Sequence, residues 1–419
     1  MRRLLLAVIF LVAIAASAQA QTIAITNATV YPISSAPISK GTILIRNGVI
    51  VAVGAEIPIP ADATKIDATG KIVTPGLINS TTELGVIEVD LVRSTNDVAA
   101  KGNNNIAAAF RVWDGLNPES ALFVPTRNEG VTTAIIVPQG GLISGQAAAI
   151  DLVSGHSSEM IRRAPVAMIA QVDRPTDAGT TARGELIGKL RALLDDVKFF
   201  ALHRLDYDRA SSRTLAATKS DLEALIPVIE GRMPLMIDAN RMDEIDAALA
   251  LARDYHLKLM ISGGAEAWLC ADRLAAAHVP VLVGAMNNIP SSFDTLNQRQ
   301  ENAALLRRAG ATVVLVTNND GGETRFNARN IKYEAGNAVA YGMAHDDALR
   351  AVTLTPAEVF GLSEHVGSLQ PGKDANIVIW SGDPFEFSTQ VEHVFIRGRE
   401  VKEPSRQDML IERYRPRGR

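Results

Sequence analysis

Two periodicities divide the chain. From Thr22 to Tyr31 and from Thr42 to Val53, apolar and β-branched residues recur with strand spacing. Arg46-Asn47-Gly48 interrupts the second run where Asn-Gly tolerates positive φ, the mark of a hairpin. Lys65 to Val73 predicts another short strand. The pattern then changes. Apolar runs at Thr132 to Val137, Leu235 to Ile237, Leu257 to Ile261, Val279 to Gly284 and Thr312 to Thr317 alternate with helical spacing. The predicted helices run from about Met242 to Tyr255, Ala265 to Ala277, Leu296 to Ala309 and Ile331 to Tyr341. Uniformly apolar strands alternating with helices predict a parallel sheet covered on both faces. So many repeats predict an α/β fold of the (β/α)8 TIM-barrel type. Thr355-Pro356-Ala357-Glu358 predicts one more helix, with Thr355 as cap, Pro356 at the first position and Glu358 closing a capping box.

Asn376 to Trp380 and Val391 to Ile396 return to strand spacing. Strand-rich ends around an α/β middle predict a small β-sandwich domain formed by residues 21–73 and 367–403, with a barrel of residues 74–366 inserted in it. Residues 404–419 carry no apolar pattern between Arg413 and Arg419 and are expected to be a solvated tail.

The first residues add a compartment. Arg2 and Arg3 precede the apolar run Leu4 to Ala16, and Ala18-Gln19-Ala20 offers small residues for cleavage. These features predict a signal peptide over residues 1–20 and a periplasmic or secreted protein. Thirteen apolar residues fall short of the roughly 20 that span a bilayer. Removing Arg2 and Arg3 takes the basic residues from 42 to 40 against 46 acids, so the net charge moves from −4 to −6. That balance argues against a nucleic-acid partner, and no later run approaches membrane-spanning length. Cys270, the single cysteine, lies in an apolar helical stretch and reads as core. The Gly-rich turn Gly140 to Gln146 lacks the Lys-Ser/Thr ending of a phosphate loop, which excludes nucleotide binding by that route.

Four stretches, in order, carry a resemblance. They are Gly41 to Gly54 with Ile45-Arg46-Asn47-Gly48; Asp67 to Lys71 leading into Thr74-Pro75-Gly76-Leu77-Ile78-Asn79; Tyr333-Glu334-Ala335-Gly336 with Ala348 to Thr353 and Thr355-Pro356-Ala357; and Gly367-Ser368-Leu369 through Pro371-Gly372-Lys373-Asp374-Ala375-Asn376. Together they resemble the metal-dependent amidohydrolase superfamily, in its imidazolonepropionase-like branch, over about residues 23–402. The resemblance implies one or two metals, usually zinc, at the C-terminal mouth of the barrel, where metal-bound hydroxide attacks a carbonyl. It also implies where the ligands belong. Thr81 and Glu83 stand where a histidine pair is expected after the first barrel strand, and Asp238 or Asn240 where the fifth strand supplies histidine. Ser262-Gly263-Gly264 ends the sixth strand, and Asp320 or Asn318 occupies the place of the final aspartate.

The seven histidines are 156, 203, 256, 278, 345, 365 and 393, and no two have ligand spacing. Only His156 and His203 are expected near a mouth, and Lys198 is the lysine to consider for a bridging role. The expected metal set is therefore none. The candidate catalytic residues are Asp320, Glu83 and Asp238, and the candidate ligand-binding residues Thr81, Asn240, Arg111 and Trp113. Arg111 and Trp113 either stack on a ligand or pack their own loop.

Two functions compete. One is a protein of hydrolase descent with a degenerate metal site, which binds an amide or peptide-like small molecule or joins an oligomer with itself or an active relative. No cofactor is expected for it. The other is a working hydrolase of carbon–nitrogen bonds using Glu83, Asp238 and Asp320, whose crowded carboxylates suit acid–base chemistry or zinc or another divalent cation.

Overall fold

The structure is a computed structural model that describes residues 22–89, 91–100, 105–172, 182–286, 288–290, 295–317, 324–401 and 403–415. The expected signal peptide lies outside the described residues, as do Lys101 to Asn104 and Asn318 to Glu323.

Five strands open the chain: β1 Thr22–Val30, β2 Ile38–Arg46, β3 Val49–Gly54, β4 Thr64–Asp67 and β5 Ile72–Pro75. The barrel strands follow: β6 Leu77–Thr82, β7 Val131–Ile136, β8 Ile143–Asp151, β9 Ile161–Gln171, β10 Leu235–Ala239, β11 Leu259–Gly263, β12 Val281–Val283 and β13 Val313–Leu315. β14 Ile377–Trp380, β15 Val391–Ile396 and β16 Arg399–Val401 close the chain's strand content.

Both chain ends build one sheet, in the order β16-β15-β14-β5-β1-β2-β3, with β4 added alongside β1. β5 is the splice, pairing antiparallel with β14 and parallel with β1. Ile25, Ile43, Ile45, Ile377 and Phe395 pack on a common core. The predicted hairpin is present, with Asn47 at φ 53° and Gly48 at φ 82°. Gly48 also meets the turn from the other chain end. A Cβ there would lie 2.6 Å from the Arg397 carbonyl oxygen, and a Cβ on Gly398 would lie 2.4 Å from Gly48 Cα. Two glycine turns thus touch backbone to backbone, which no side chain allows.

The second sheet runs β6 through β13 in chain order. Its edges approach each other, and Asn79 Nδ2 bridges them with a 3.1 Å bond to Thr317 Oγ1, so the barrel is nearly closed. Ile78, Ile135, Ala149, Ile169, Met236, Leu282 and Val314 fill the interior. One strand departs from the all-parallel expectation: β8 is antiparallel to both β7 and β9. The reason is chain length. Only residues 137–142 separate β7 from β8, and a parallel crossover needs about a dozen. The turn expected over Gly140 to Gln146 therefore ends at Leu142.

Helix expectations held unevenly. Met242–Tyr255 forms as expected. Ala265 to Ala277 divides into a 3-10 turn, Ala267–Cys270, and the helix Ala271–Ala276. Leu296 to Ala309 contracts to Asn302–Arg308. Thr355 is not a cap, because the helix Leu354–Val359 starts two residues before the expected first position at Pro356, and Thr355 is inside it. Pro356 is tolerated there because the first helical N–H groups have no internal acceptor. The tail is exposed but helical over Arg406–Tyr414, started by a Ser405–Asp408 capping box. Among the described residues, no helix is long and apolar enough to cross a membrane.

A buried charge network ties the barrel to the sheet domain. Asp151, fully buried at the end of β8, takes Arg162 Nε at 2.9 Å, Arg397 Nε at 2.7 Å and Thr133 Oγ1 at 2.9 Å. Arg162 also reaches Asp374 at 2.7 Å. Burial works against the Arg162 charge, but Asp151 and Asp374 outweigh it and hold its pKa above the ordinary value.

Candidate functional site

The C-terminal ends of the parallel strands surround a cavity of about 190 Å³. Thr81 enters from β6, Gln171 from β9, Asp238 from β10 and Ser262 with Gly263 from β11. Gln139, Gly284 and Thr317 come from the segments after β7, β12 and β13. This is the face where barrel loops converge and barrel sites are built.

The structure brings three sequence candidates to this cavity: Thr81, Asp238 and Asn240. Glu83 lies behind them. It is 2% exposed and accepts a hydrogen bond from Gln139 Nε2, and Gln139 is what lines the cavity. Asp320, like Asn318, lies outside the described residues. Arg111 and Trp113 do not line the cavity. The Arg111 guanidinium sits 4.9 Å from the Trp113 ring centroid and 3.6 Å from Asp114, and Trp113 is buried. Of the two roles open to them, the geometry places them in loop packing.

Gly263 explains why the end of β11 carries no side chain. Its φ is +85°, and a Cβ would fall 2.6 Å from Asn240 Oδ1 and 2.8 Å from Asp238 Oδ1. The two oxygens of β10 and its loop converge on the glycine. Asn240 Oδ1 also accepts the Ala265 N–H at 3.3 Å.

The mouth loops are held by buried carboxylates. Glu244 accepts the N–H groups of Asn240 at 2.9 Å and Arg241 at 3.0 Å. Glu266 accepts the Met242 N–H at 2.9 Å and Asn297 Nδ2 at 2.8 Å. Glu334, on the helix Ile331–Ala340, accepts the N–H groups of Ala285 at 2.6 Å and Met286 at 2.7 Å. All three are buried. Charge-assisted bonds of this kind are stronger than neutral ones, so these acids fix backbone rather than face a ligand. Asp238 is the one charged side chain among the described residues lining the cavity.

None of the seven histidines lines the cavity. His203 caps a helix end and stacks on Phe199, with Nδ1 2.9 Å from the Phe199 carbonyl oxygen. His156 precedes the short helix Ser157–Met160 after β8, away from the mouth. His345 pairs with Asp383 at 3.1 Å and His393 with Glu400 at 2.6 Å. Lys198 lies on the helix Arg183–Leu202, its Nζ 4.3 Å above the Tyr255 ring centroid. Cys270 is buried, as expected, and burial pushes its thiol up to about 11, which keeps it from acting as a nucleophile. Among the described residues, no group of three His, Cys, Asp or Glu side chains is arranged to hold a metal. Among the described residues, the donors at the mouth are hydroxyls, carboxamides and one carboxylate.

Sequence reasoning missed Gln139, Gln171, Asn288, Gln298, Asn302 and Thr317. A positional signal existed for Gln139 and Thr317, since Gln139 lies two residues beyond one apolar run and Thr317 ends another. Gln171 ends a strand that was not recognised, and Asn302 begins a helix expected to start earlier.

The Amidohydrolase family model matches residues 220–401. The chain is 24% identical over 392 residues to the amidohydrolase tasK of Hapsidospora irregularis, across 85% of this chain but only 39% of that protein's length. It is 24% identical over 379 residues to the imidazolonepropionase of Mesorhizobium japonicum, across 82% of this chain and 87% of that one. Among solved structures, an amidohydrolase from Thermotoga maritima superposes with a TM-score of 0.82 at 28% identity, covering 91% of this chain and all of that one.

Proposed function

Because the chain belongs to the amidohydrolase superfamily, we propose that it descends from hydrolases of carbon–nitrogen bonds and now binds an amide or peptide-like small molecule at the barrel mouth without turning it over. The observation that carries this reading is the composition of the mouth. Asp238 is the one carboxylate lining it among the described residues, beside Thr81, Gln139, Asn240 and Ser262. Zinc is held by imidazole, thiolate and carboxylate, commonly four ligands in a tetrahedron. Among the described residues, a single carboxylate among neutral oxygens does not make such a ligand set. Glu83, at one expected ligand position, is engaged with Gln139 in the wall. The N-terminal leader, Leu4 to Ala16 followed by Ala18-Gln19-Ala20, supports export with cleavage before Gln21.

The exported form tests both parts. Its intact mass is expected to correspond to a chain beginning at Gln21. Against a panel of cyclic amides and dipeptides it is expected to give no turnover above the buffer rate, with Glu83→Gln indistinguishable from wild type. Turnover that Glu83→Gln abolishes would restore a carboxylate mechanism and defeat the binding reading.

A further inference from the structure

We infer that a cavity at the opposite end of the barrel binds a small amphipathic carboxylate, an aliphatic or aromatic acid, with its apolar body inside and its charged head at Lys258 and His278. This site is separate from the mouth, and the inference does not rest on the binding reading above.

The cavity measures about 480 Å³, against about 190 Å³ at the mouth. Small-molecule sites commonly measure about 300–1,000 Å³. It lies at the N-terminal ends of three neighbouring strands. Pro234, Lys258 and Pro280 line it and immediately precede β10, β11 and β12. Leu249 and Arg253 enter from the helix Met242–Tyr255, and His278 follows the helix Ala271–Ala276. Barrel loops at this end ordinarily serve stability. His278 departs from what stability alone favours. Its φ is +52°, a conformation that glycine takes at lower cost. Histidine there puts an imidazole-bearing residue in the lining.

Charge selects the ligand. Among the described residues, the lining carries Arg253, Lys258 and His278 and no Asp or Glu. On a chain with 46 acids against 42 bases, such an edge is a local exception. Lys258 and His278 are exposed, and neither side chain has a hydrogen-bond or ion-pair partner among the described residues. Arg253 is engaged, 3.3 Å from Asp254, which also takes Arg191 at 2.9 Å. The rim carbonyl oxygens are engaged as well. Pro234 accepts the Met168 N–H at 2.9 Å, Lys258 the Leu235 N–H at 2.8 Å and Pro280 the Ile261 N–H at 2.9 Å. What the rim presents is therefore positive charge and N–H donors, beside the apolar Leu249, Leu257, Val279 and Val359. A carboxylate head makes charge-assisted bonds with the first, and a hydrocarbon body leaves water against the second. An ammonium head would meet like charge.

Octanoate, octanamide and octylammonium share one apolar chain and differ in the charge of the head. In isothermal titration with the full exported chain, octanoate is expected to bind at least about fivefold more tightly than octylammonium. Lys258→Glu, at an exposed position, is expected to weaken octanoate by about fivefold and to leave octanamide unchanged. Thr81→Val, at the mouth, is expected to leave octanoate unchanged. The wild-type order decides the ligand class alone, and octylammonium binding as tightly as octanoate overturns it. Octanoate affinity unchanged in folded Lys258→Glu, or lowered as much by Thr81→Val, overturns the location. Should Lys258→Glu fail to fold, His278→Asn decides by the same criterion, since asparagine tolerates positive φ. No octanoate binding at about 10 mM overturns the inference and leaves the reading of the mouth as it was.

Discussion

Replacing Asp151 by Asn is expected to destabilise the fold by about 3–5 kcal/mol, because it leaves two guanidinium groups at a buried junction without their shared counterion. Asp151 is wholly buried, and the Arg162 side chain is nearly so. Arg397 reaches the same carboxylate from the turn that packs on Gly48. Two parts of the chain remote in sequence therefore meet at one carboxylate: the paired strands β8 and β9, and the turn after β15. The isosteric amide keeps the shape and removes the charge, so packing does not confuse the result. Urea denaturation followed by circular dichroism measures it. Asp374→Asn serves as the comparison and is expected to lose much less, since Asp374 is partly exposed and Arg162 keeps Asp151. Equal losses for the two variants would show that the network is not centred on Asp151.

The second large effect is expected at Glu334→Ala. This carboxylate accepts two N–H groups of the loop after β12, at Ala285 and Met286. Hydrogen bonds to a charged group contribute about 1.5–3 kcal/mol each, and buried donors left behind add a desolvation penalty. The expected loss is thus about 3–5 kcal/mol, concentrated where Gly284 and Asn288 line the mouth. Hydrogen exchange reads it locally: the Ala285 and Met286 amides should lose protection before the barrel strands do. Glu334→Gln keeps one carbonyl acceptor and is expected to lose less. Uniform loss of protection across the barrel in Glu334→Ala would mean the residue acts on the global fold and not on the loop.

These residues also show what a sequence can disclose. The turn glycines and the strand-rich ends were legible because local chemistry specifies them: Asn47-Gly48 demands positive φ, and β5 and β14 are apolar enough to be central strands. The parallel strands β10 to β13 were legible for the same reason. The β8–β9 pair was not. β9 contains Arg162, Arg163 and Pro165, which break an apolar run; Arg162 is explained by Asp151 on the neighbouring strand and Arg163 by Gly361, which is remote in sequence. The Ser405–Asp408 box that starts the last helix was present in the sequence but was passed over in a charged tail.

The site was partly legible. The strand-end positions of Thr81, Asp238 and Asn240 follow from the period of the strands and the family pattern, and all three line the cavity. Glu83 shows the limit. Alternation along a strand places it near the mouth, but only the partner, Gln139, determines that its carboxylate lies in the wall. Glu244, Glu266 and Glu334 could not be separated from Asp238 by residue type. What separates them is the loop N–H groups they accept, which depend on tertiary approach.

The central claim is that this mouth binds without the zinc chemistry of its superfamily. Metal content of the purified full chain, measured by plasma mass spectrometry after dialysis against zinc-containing and then zinc-free buffer, tests it most directly. The account predicts zinc far below one atom per chain, and an unfolding midpoint that a chelator does not move. One zinc retained per chain, with a midpoint that falls on chelation, would contradict it.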